Sequence, residues 1–153
     1  MAGASQGGGL ALPGARPAGA RPAGDRVAAA MPDGPLLCHF RHAAAICGDG
    51  PYPDIATTHL RRHSRHRMEP AFATLDHFDG AHFTRRAATP TLFGVGLTDP
   101  ACPPSMVCVA FDQYAGRDRS TTVWPFGDHG GYGSPPPLQP ARLRGGRGPA
   151  RDL

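Results

Sequence analysis

The sequence contains no lysine, and all 16 of its basic residues are arginine. About half of its 153 residues are Gly, Pro, Ala or Arg, a bias that GC-rich coding DNA produces. A formal net charge of +4 is therefore weak grounds for an acidic partner. Because the arginines are scattered and aromatic residues make up only 7% of the chain, the sequence predicts no nucleic-acid binding.

Long apolar runs are also absent. No stretch reaches the roughly 18 residues that cross a bilayer as a helix, so no membrane partner is expected. The first residues lack a basic start followed by an apolar run, which predicts no secretion signal and a cytoplasmic location. The four cysteines form no C-x-x-C pair, so we expect buried thiols rather than a zinc site, and no metal or cofactor.

Glycine and proline concentrate at the two ends of the chain. Residues 1–35 hold eight Gly and five Pro, and residues 127–153 hold seven Gly and five Pro. Most of the Phe, Leu, Val and Ile residues that a core requires lie between them, in 36–126. We therefore predict one domain over residues 1–133 and a disordered tail over residues 134–153.

Strand and helix patterns alternate along the middle of the chain, which favours a parallel sheet covered by helices, the α/β class. Short apolar runs predict strands at Val27–Met31, Pro90–Leu97 and Ser120–Phe126. Helical patterns cover Leu36–Ile46, Ile55–His66, a segment from the N-cap Asp79 to Arg86, and a segment from Pro104 to about Tyr114.

Residues 3–7, GASQG, match the G-x-S-x-G nucleophile elbow, a sharp strand-to-helix turn around Ser5. Small residues flank such a serine because Cβ atoms would clash in the turn. Asp99 follows the predicted strand Pro90–Leu97, and His129 lies in a Gly-rich loop after the last strand. The order Ser, Asp, His is that of α/β-hydrolases. Each residue alone has a simpler explanation: a chance match for Ser5, a helix N-cap or turn residue for Asp99, and a solvated loop histidine for His129.

Four segments carry a family resemblance. They read GASQGGGLAL at 3–12, ATLDHFDGAHF at 73–83, GLTDPACPPS at 96–105 and WPFGDHGG at 124–131. They resemble segments of the acetyl xylan esterase and cephalosporin C deacetylase family. The first resembles that family's nucleophile elbow and the second its TLSYFDGVNFA segment. The third resembles its GLxDxxCPPST segment, which contains the triad acid, and the fourth its YPxxGHEGG loop, which contains the triad histidine. The match runs, with gaps, from residue 3 to about 133.

This resemblance implies an α/β-hydrolase fold and a serine esterase that deacetylates xylo-oligosaccharides or cephalosporin C without a cofactor. Ser5 would be the nucleophile, His129 the base and Asp99 the residue that orients the imidazole. The backbone N–H of Gln6 would supply half of the oxyanion hole. The resemblance also implies a homo-oligomer for intact relatives.

The sequence departs from the family in ways that predict weak activity. Only four residues precede Ser5, so we expect the C-terminal half of the fold, without the strand that enters the elbow and without the second oxyanion donor. Pro13, Pro17 and Pro22 interrupt the helix that should follow, and residues 13–25 are predicted to be irregular. Two other functions stay open: a non-catalytic remnant, and an Arg-rich, partly disordered binding protein.

His59, His63 and His66 fall at i, i+4 and i+7 if residues 55–66 are helical, a spacing that can seat a metal. Arg61, Arg62 and Arg65 lie among them, Arg67 follows directly, and these four charges would repel a cation. The pattern therefore favours a solvated basic helix face over a metal site.

Overall fold

Four parallel strands form the sheet of this computed structural model, which describes residues 1–15 and 27–129, with residues 58–60 described by their backbone alone. The spatial order follows the chain: β1 (Ala2–Ala4), β2 (Met31–Asp33), β3 (Thr91–Gly96) and β4 (Arg119–Trp124). All pairings are parallel, so the carboxyl ends of the strands meet at one edge of the sheet. The predicted α/β class is confirmed.

Helices connect the strands. The segment α1 (Gln6–Gly14) follows β1, and α6 (Pro104–Asp112) joins β3 to β4. Between β2 and β3 the chain forms a series of short elements: α2 (Phe40–Ile46), α3 (Pro51–Pro53), a π-helical segment (Asp54–Arg61), a 3-10 turn (Arg65–Arg67), α4 (Met68–Asp76) and α5 (Gly80–Thr84). None of the described helices has the length and apolar character that a membrane span requires.

The core is centred on β3, all six residues of which are buried. Phe93 packs edge-to-face against Phe111 and Tyr114, with ring centroids 5.6 and 5.9 Å away. Leu12 of α1 and Val107 of α6 belong to the same buried cluster. A central strand covered in this way accounts for the continuous apolar run at Pro90–Leu97.

Several predicted elements are confirmed within two residues. The strands predicted at Pro90–Leu97 and Ser120–Phe126 are β3 and β4, and the helix predicted from Pro104 is α6. Asp79 caps α5 as predicted, because its Oδ1 accepts a hydrogen bond of 2.9 Å from the Ala81 N–H. This helix ends at Thr84, two residues before its predicted end at Arg86.

The strand predicted at Val27–Met31 was placed too early, since β2 runs from Met31 to Asp33. Proline is normally confined to strand ends and edges, yet Pro32 is the middle residue of β2. Here the Ala30 N–H donates to the carbonyl of Pro90, just before β3, and the Gly34 N–H donates to the carbonyl of Gly94 in β3. Pro32 lies midway between these two donors, and the pairing continues on either side of the position that has no N–H.

The first four residues of the predicted helix Leu36–Ile46 are a loop instead. Leu37 and His39 have positive φ values of 64° and 54°, which no helix allows. The hydroxyl of buried Tyr52 accepts hydrogen bonds from the N–H groups of Leu37 and Cys38, and the Asp79 carboxylate accepts those of His39 and Phe40. These distant side chains satisfy the backbone groups that a longer helix would have used.

The helix predicted at Ile55–His66 is also corrected. The π-helical segment begins at Asp54 and ends at Arg61, so His63 and His66 lie beyond it. The three histidines therefore do not share one helix face at regular spacing. The side chain of His59 lies outside the described residues.

Two expectations about the elbow region are wrong. A strand does enter the elbow: β1 pairs with β2 over Ala2–Ala4. Pro13 and Gly14 belong to α1, which ends at Gly14, so the predicted irregular stretch begins two residues too early. Burial of Gly8, Gly9, Ala11 and Leu12 supports this short helix despite the proline. The rest of the predicted irregular stretch, 16–25, lies outside the described residues, as does the predicted tail 134–153.

The cysteines follow the prediction in part. All four are free thiols, and Cys38 and Cys102 are buried. Cys47 is partly buried, whereas Cys108 is exposed on the outer face of α6, which contradicts the expectation of four buried thiols.

Candidate active site

Ser5 occupies a strained turn between β1 and α1. Its φ of 52° and ψ of −121° lie outside the regions that a residue with a Cβ normally adopts, at a cost of about 1–3 kcal/mol. Neighbouring backbone holds it there. The Ser5 N–H donates to the Asp33 carbonyl at 2.9 Å, and the Ser5 carbonyl accepts from Leu36 at 2.9 Å and from Gly9 at 3.0 Å. The end of β2, the loop after it and the first part of α1 thus fix the turn.

The two glycines of the GASQG motif have different roles. A Cβ placed on Gly3 would lie 2.5 Å from the Gly7 carbonyl oxygen and 2.9 Å from the Gly8 nitrogen, both backbone atoms that cannot move easily. A Cβ on Gly7 would meet no atom within 4 Å. The expectation that Cβ atoms clash on both sides of the turn is therefore correct for Gly3 and wrong for Gly7.

Two polar groups of the elbow have no internal partner among the described residues. The Ser5 hydroxyl does not cap α1 and makes no other hydrogen bond in that part of the chain. Gln6 is the first residue of α1, where a backbone N–H has no carbonyl one turn earlier to bond. A hydroxyl and an N–H on adjacent residues are thus available to a ligand at the N-terminus of a helix.

Asp99 and His129 lie in contact. Asp99 Oδ2 is 3.0 Å from His129 Nδ1, and the Asp99 side chain is fully buried while that of His129 is 33% exposed. The other carboxylate oxygen, Oδ1, accepts hydrogen bonds from the N–H groups of Ala101 at 2.9 Å and Cys102 at 2.8 Å. These bonds hold the carboxylate in place. When His129 Nδ1 carries the proton and donates it to this carboxylate, Nε2 is the unprotonated, basic nitrogen of the ring.

Hydrogen bonds between two loops bring the acid and the histidine together. Beyond the ends of β3 and β4, the Leu97 N–H donates to the Trp124 carbonyl at 3.0 Å. The Thr98 N–H and hydroxyl both donate to the Gly127 carbonyl, at 3.1 and 2.8 Å. These bonds extend the pairing of the strands and carry His129 toward Asp99.

Of the three predicted catalytic residues, Asp99 and His129 are in contact, whereas Ser5 lies apart from them at the same edge of the sheet. The expectation that Asp99 and His129 follow β3 and β4 at the same edge of the sheet is confirmed. Ser5 lies at that edge too, but β1 and β3 are separated by β2 and hence by roughly 10 Å. Within residues 1–15 and 27–129, no hydrogen bond links Ser5 to His129. The catalytic roles of the three residues stay predictions.

Asp33 is a further acidic residue that the sequence analysis missed. It ends β2, between the strands that carry Ser5 and Asp99. Its Oδ1 is buried without a hydrogen-bond partner and packs against Gly94, where any Cβ would overlap it. Burial raises the pKa of the Asp33 carboxyl, the charge of Asp99 raises it further, and His129 lowers it. An acidic residue at the carboxyl end of a parallel strand is a typical site residue, and this pattern could have identified Asp33. Using it would have required a predicted strand that continues through Pro32.

We expect Asp33→Asn to raise the melting temperature at pH 7 by about 2–4 °C, or about 1 kcal/mol in a chain of this size. The folded chain holds the Asp33 proton more tightly than the unfolded chain, so ionisation penalises folding above the ordinary pKa of 3.8. The advantage of the variant should be absent near about pH 3, grow as pH rises through the titration of Asp33, and persist at neutral pH.

Thermal unfolding followed by circular dichroism across this pH range measures the effect. Asp118→Asn, which neutralises an exposed carboxylate, is the matched control and should leave the pH dependence unchanged. An Asp33→Asn variant that is less stable than the unmodified chain at pH 7 would show that the negative charge supports the fold.

Solved structures resemble this chain over most of its length. An acetyl xylan esterase from Paenibacillus sp. R4 is 35% identical with a TM-score of 0.73, and the match covers 85% of this chain and 40% of that one. Acetyl xylan esterase 1 from Thermoanaerobacterium sp. JW/SL YS485 is 27% identical with a TM-score of 0.72, covering 90% and 40%. The chain therefore spans about two fifths of the length of these structures.

A more distant likeness concerns the fold alone. The acylaminoacyl peptidase of Pyrococcus horikoshii is 16% identical with a TM-score of 0.57, and the match covers 84% of this chain and 19% of that one. The family model described as acetyl xylan esterase matches residues 1–136, a range that includes Ser5, Asp99 and His129. By this match the chain belongs to the acetyl xylan esterase family.

Proposed function

We propose that this chain carries the nucleophile, acid and base of a serine carboxylesterase that removes acetyl groups from xylo-oligosaccharides. The observation that carries the proposal is the contact of Asp99 with His129 at the sheet edge where Ser5 occupies a strained turn. A buried carboxylate, an imidazole and a hydroxyl in this order form the triad of serine hydrolases. The substrate class rests on the family and on the two similar esterases.

In the proposed first step, Ser5 Oγ attacks the carbonyl carbon of the acetyl ester, and His129 Nε2 takes the hydroxyl proton. Asp99 keeps the imidazole in the tautomer with the proton on Nδ1 and stabilises the imidazolium that forms. The Gln6 N–H donates a hydrogen bond to the oxyanion of the tetrahedral intermediate. The C–O bond to the sugar then breaks, and His129 returns its proton to the leaving sugar hydroxyl.

The second step frees the enzyme. Water attacks the acetyl-Ser5 ester while His129 accepts one of its protons, and collapse of this intermediate releases acetic acid and restores the Ser5 hydroxyl. Each proton moves between a hydroxyl or water and the same imidazole nitrogen. No metal or redox group takes part in these steps.

Two assays on the full chain test the proposal. Acetate release is measured from acetylated xylo-oligosaccharides, cephalosporin C and a chromogenic acetate ester, and a fluorophosphonate probe is used to label an activated serine. We expect acetate release above the buffer rate and an adduct that peptide mass spectrometry locates on Ser5. Folded chain that releases no acetate and forms no adduct would overturn the proposal in favour of a non-catalytic remnant.

A further inference from the structure

Three side chains of different chemistry converge at one place, and two of them belong to the proposed triad. Asp99, Cys102 and His129 each offer one possible ligand atom, and these atoms lie within 4.8 Å of one another. A carboxylate oxygen, a thiol sulfur and an imidazole nitrogen are the donors that Zn²⁺ takes in proteins. The absence of a C-x-x-C pair predicted no zinc site, whereas this set contains a single cysteine, which lies three residues after Asp99.

The backbone holds two of the three ligands. Asp99 Oδ1 accepts hydrogen bonds from the N–H groups of Ala101 and Cys102, which curls the turn 99–102 around the carboxylate and keeps the cysteine beside it. His129 lies on the exposed side of the cluster. Ligand atoms around tetrahedral Zn²⁺ are roughly 3.3–3.6 Å apart, so a closure of about 1 Å completes the site, and the exposed histidine can supply that movement.

A second carboxylate supports a cation at this place. The charge of Asp33 interacts with both Asp99 and His129, and the Asp33 Oδ1 is buried without a hydrogen-bond partner. Two carboxylates near one imidazole leave an excess of negative charge when the imidazole is neutral. A divalent cation bound between Asp99, Cys102 and His129 offsets this repulsion.

We propose that Asp99, Cys102 and His129 form a binding site for Zn²⁺. Binding breaks the S–H bond of Cys102, and its proton passes to solvent while the neutral imidazole coordinates through a ring nitrogen. The imidazole is then no longer available as a base for Ser5, so bound zinc inhibits the hydrolysis proposed above. Only this inhibition rests on the proposed function, because metal binding is measured without substrate.

The experiment titrates the full-length chain with Zn²⁺ in competition with a metallochromic chelator. We expect one Zn²⁺ per chain, and a loss of affinity of about 100-fold or more in Cys102→Ser, since even the partners of metal ligands contribute about 10–100-fold. Cys108→Ser, which changes the exposed thiol, is the matched control and should bind as the unmodified chain does. Circular dichroism establishes that each variant is folded.

Two further measurements identify the ligands. Co²⁺ in place of Zn²⁺ should give a thiolate-to-metal charge-transfer absorption in the unmodified chain and in Cys108→Ser, and none in Cys102→Ser. His129→Ala changes an exposed side chain, so it should fold normally and lose zinc affinity by a similar factor.

Several results would overturn the proposal. They are an unmodified chain that binds no Zn²⁺, equal affinity in Cys102→Ser, or binding that disappears only when His63 and His66 are replaced. A chain that binds zinc through Cys102 but releases no acetate would support the metal site while refuting the esterase, so the two proposals fail separately.

Discussion

Replacing Ser5 with alanine is expected to reduce acetate release at least about 10⁴-fold, down to the buffer rate, because no other group forms the acetyl-enzyme. Asp99→Asn should reduce it by about 10⁴-fold although the site keeps its shape. In the asparagine side chain an NH₂ group, which cannot accept a hydrogen bond, replaces one of the two carboxylate oxygens. The side chain therefore cannot accept both the backbone N–H groups of residues 101 and 102 and the His129 Nδ1–H. The imidazole then loses the tautomer that presents a basic Nε2 to Ser5.

The chain contains a matched control for this experiment. Ser105 Oγ lies 3.4 Å from His42 Nε2 on the exposed surface of α6, so it forms a second serine–histidine pair. This pair lacks the strained turn, and among the described residues no carboxylate bonds to His42. Ser105→Ala should leave the rate unchanged. Equal losses in Ser5→Ala and Ser105→Ala, with intact circular dichroism spectra, would refute the assignment of Ser5 as the nucleophile.

The second large effect concerns the two glycines of the elbow. Gly3→Ala is expected to lower the free energy of unfolding by about 3 kcal/mol or more, because its Cβ would overlap backbone atoms of Gly7 and Gly8. β1 and the first turn of α1 must separate to admit a methyl group. That separation also displaces Ser5, and a shift of about 1 Å at a nucleophile can cost about 10²-fold in rate.

Gly7→Ala serves as the control because it adds the same methyl group four residues away. Its Cβ meets open space, and alanine favours a helix over glycine by about 0.5–1 kcal/mol, so we expect a small gain in stability. Urea denaturation of both variants measures the contrast. A Gly3→Ala variant as stable as Gly7→Ala would mean that the elbow relaxes without cost and that the motif does not need its first glycine.

The sequence predicted those parts of the fold in which local pattern and tertiary environment agree. β3 is buried on both faces, so its apolar run identified it directly. Asp79 caps the helix that follows it, and a cap requires only residues two or three positions apart. Asp99 was found for a related reason: it follows a strand that was placed correctly.

The errors occurred where distant residues override local preference. The segment from Leu36 to His39 has helical composition, but Tyr52 and Asp79 accept hydrogen bonds from the N–H groups of this loop and of Phe40. Asp33 was missed because the predicted strand ended at Met31, whereas the sheet accommodates Pro32 between two paired donors.

The sequence alone identifies this protein as an α/β chain with a serine elbow motif, an acid after one strand and a histidine after the next. These features depend on residue type and on spacing of a few positions. Only the tertiary structure decided that Asp99 meets His129 at 3.0 Å, that Asp33 and Cys102 stand beside them, and that Gly3 rather than Gly7 is sterically required. Contacts of this kind join residues far apart in the chain, and their geometry follows from strand order and loop hydrogen bonds that no local pattern encodes.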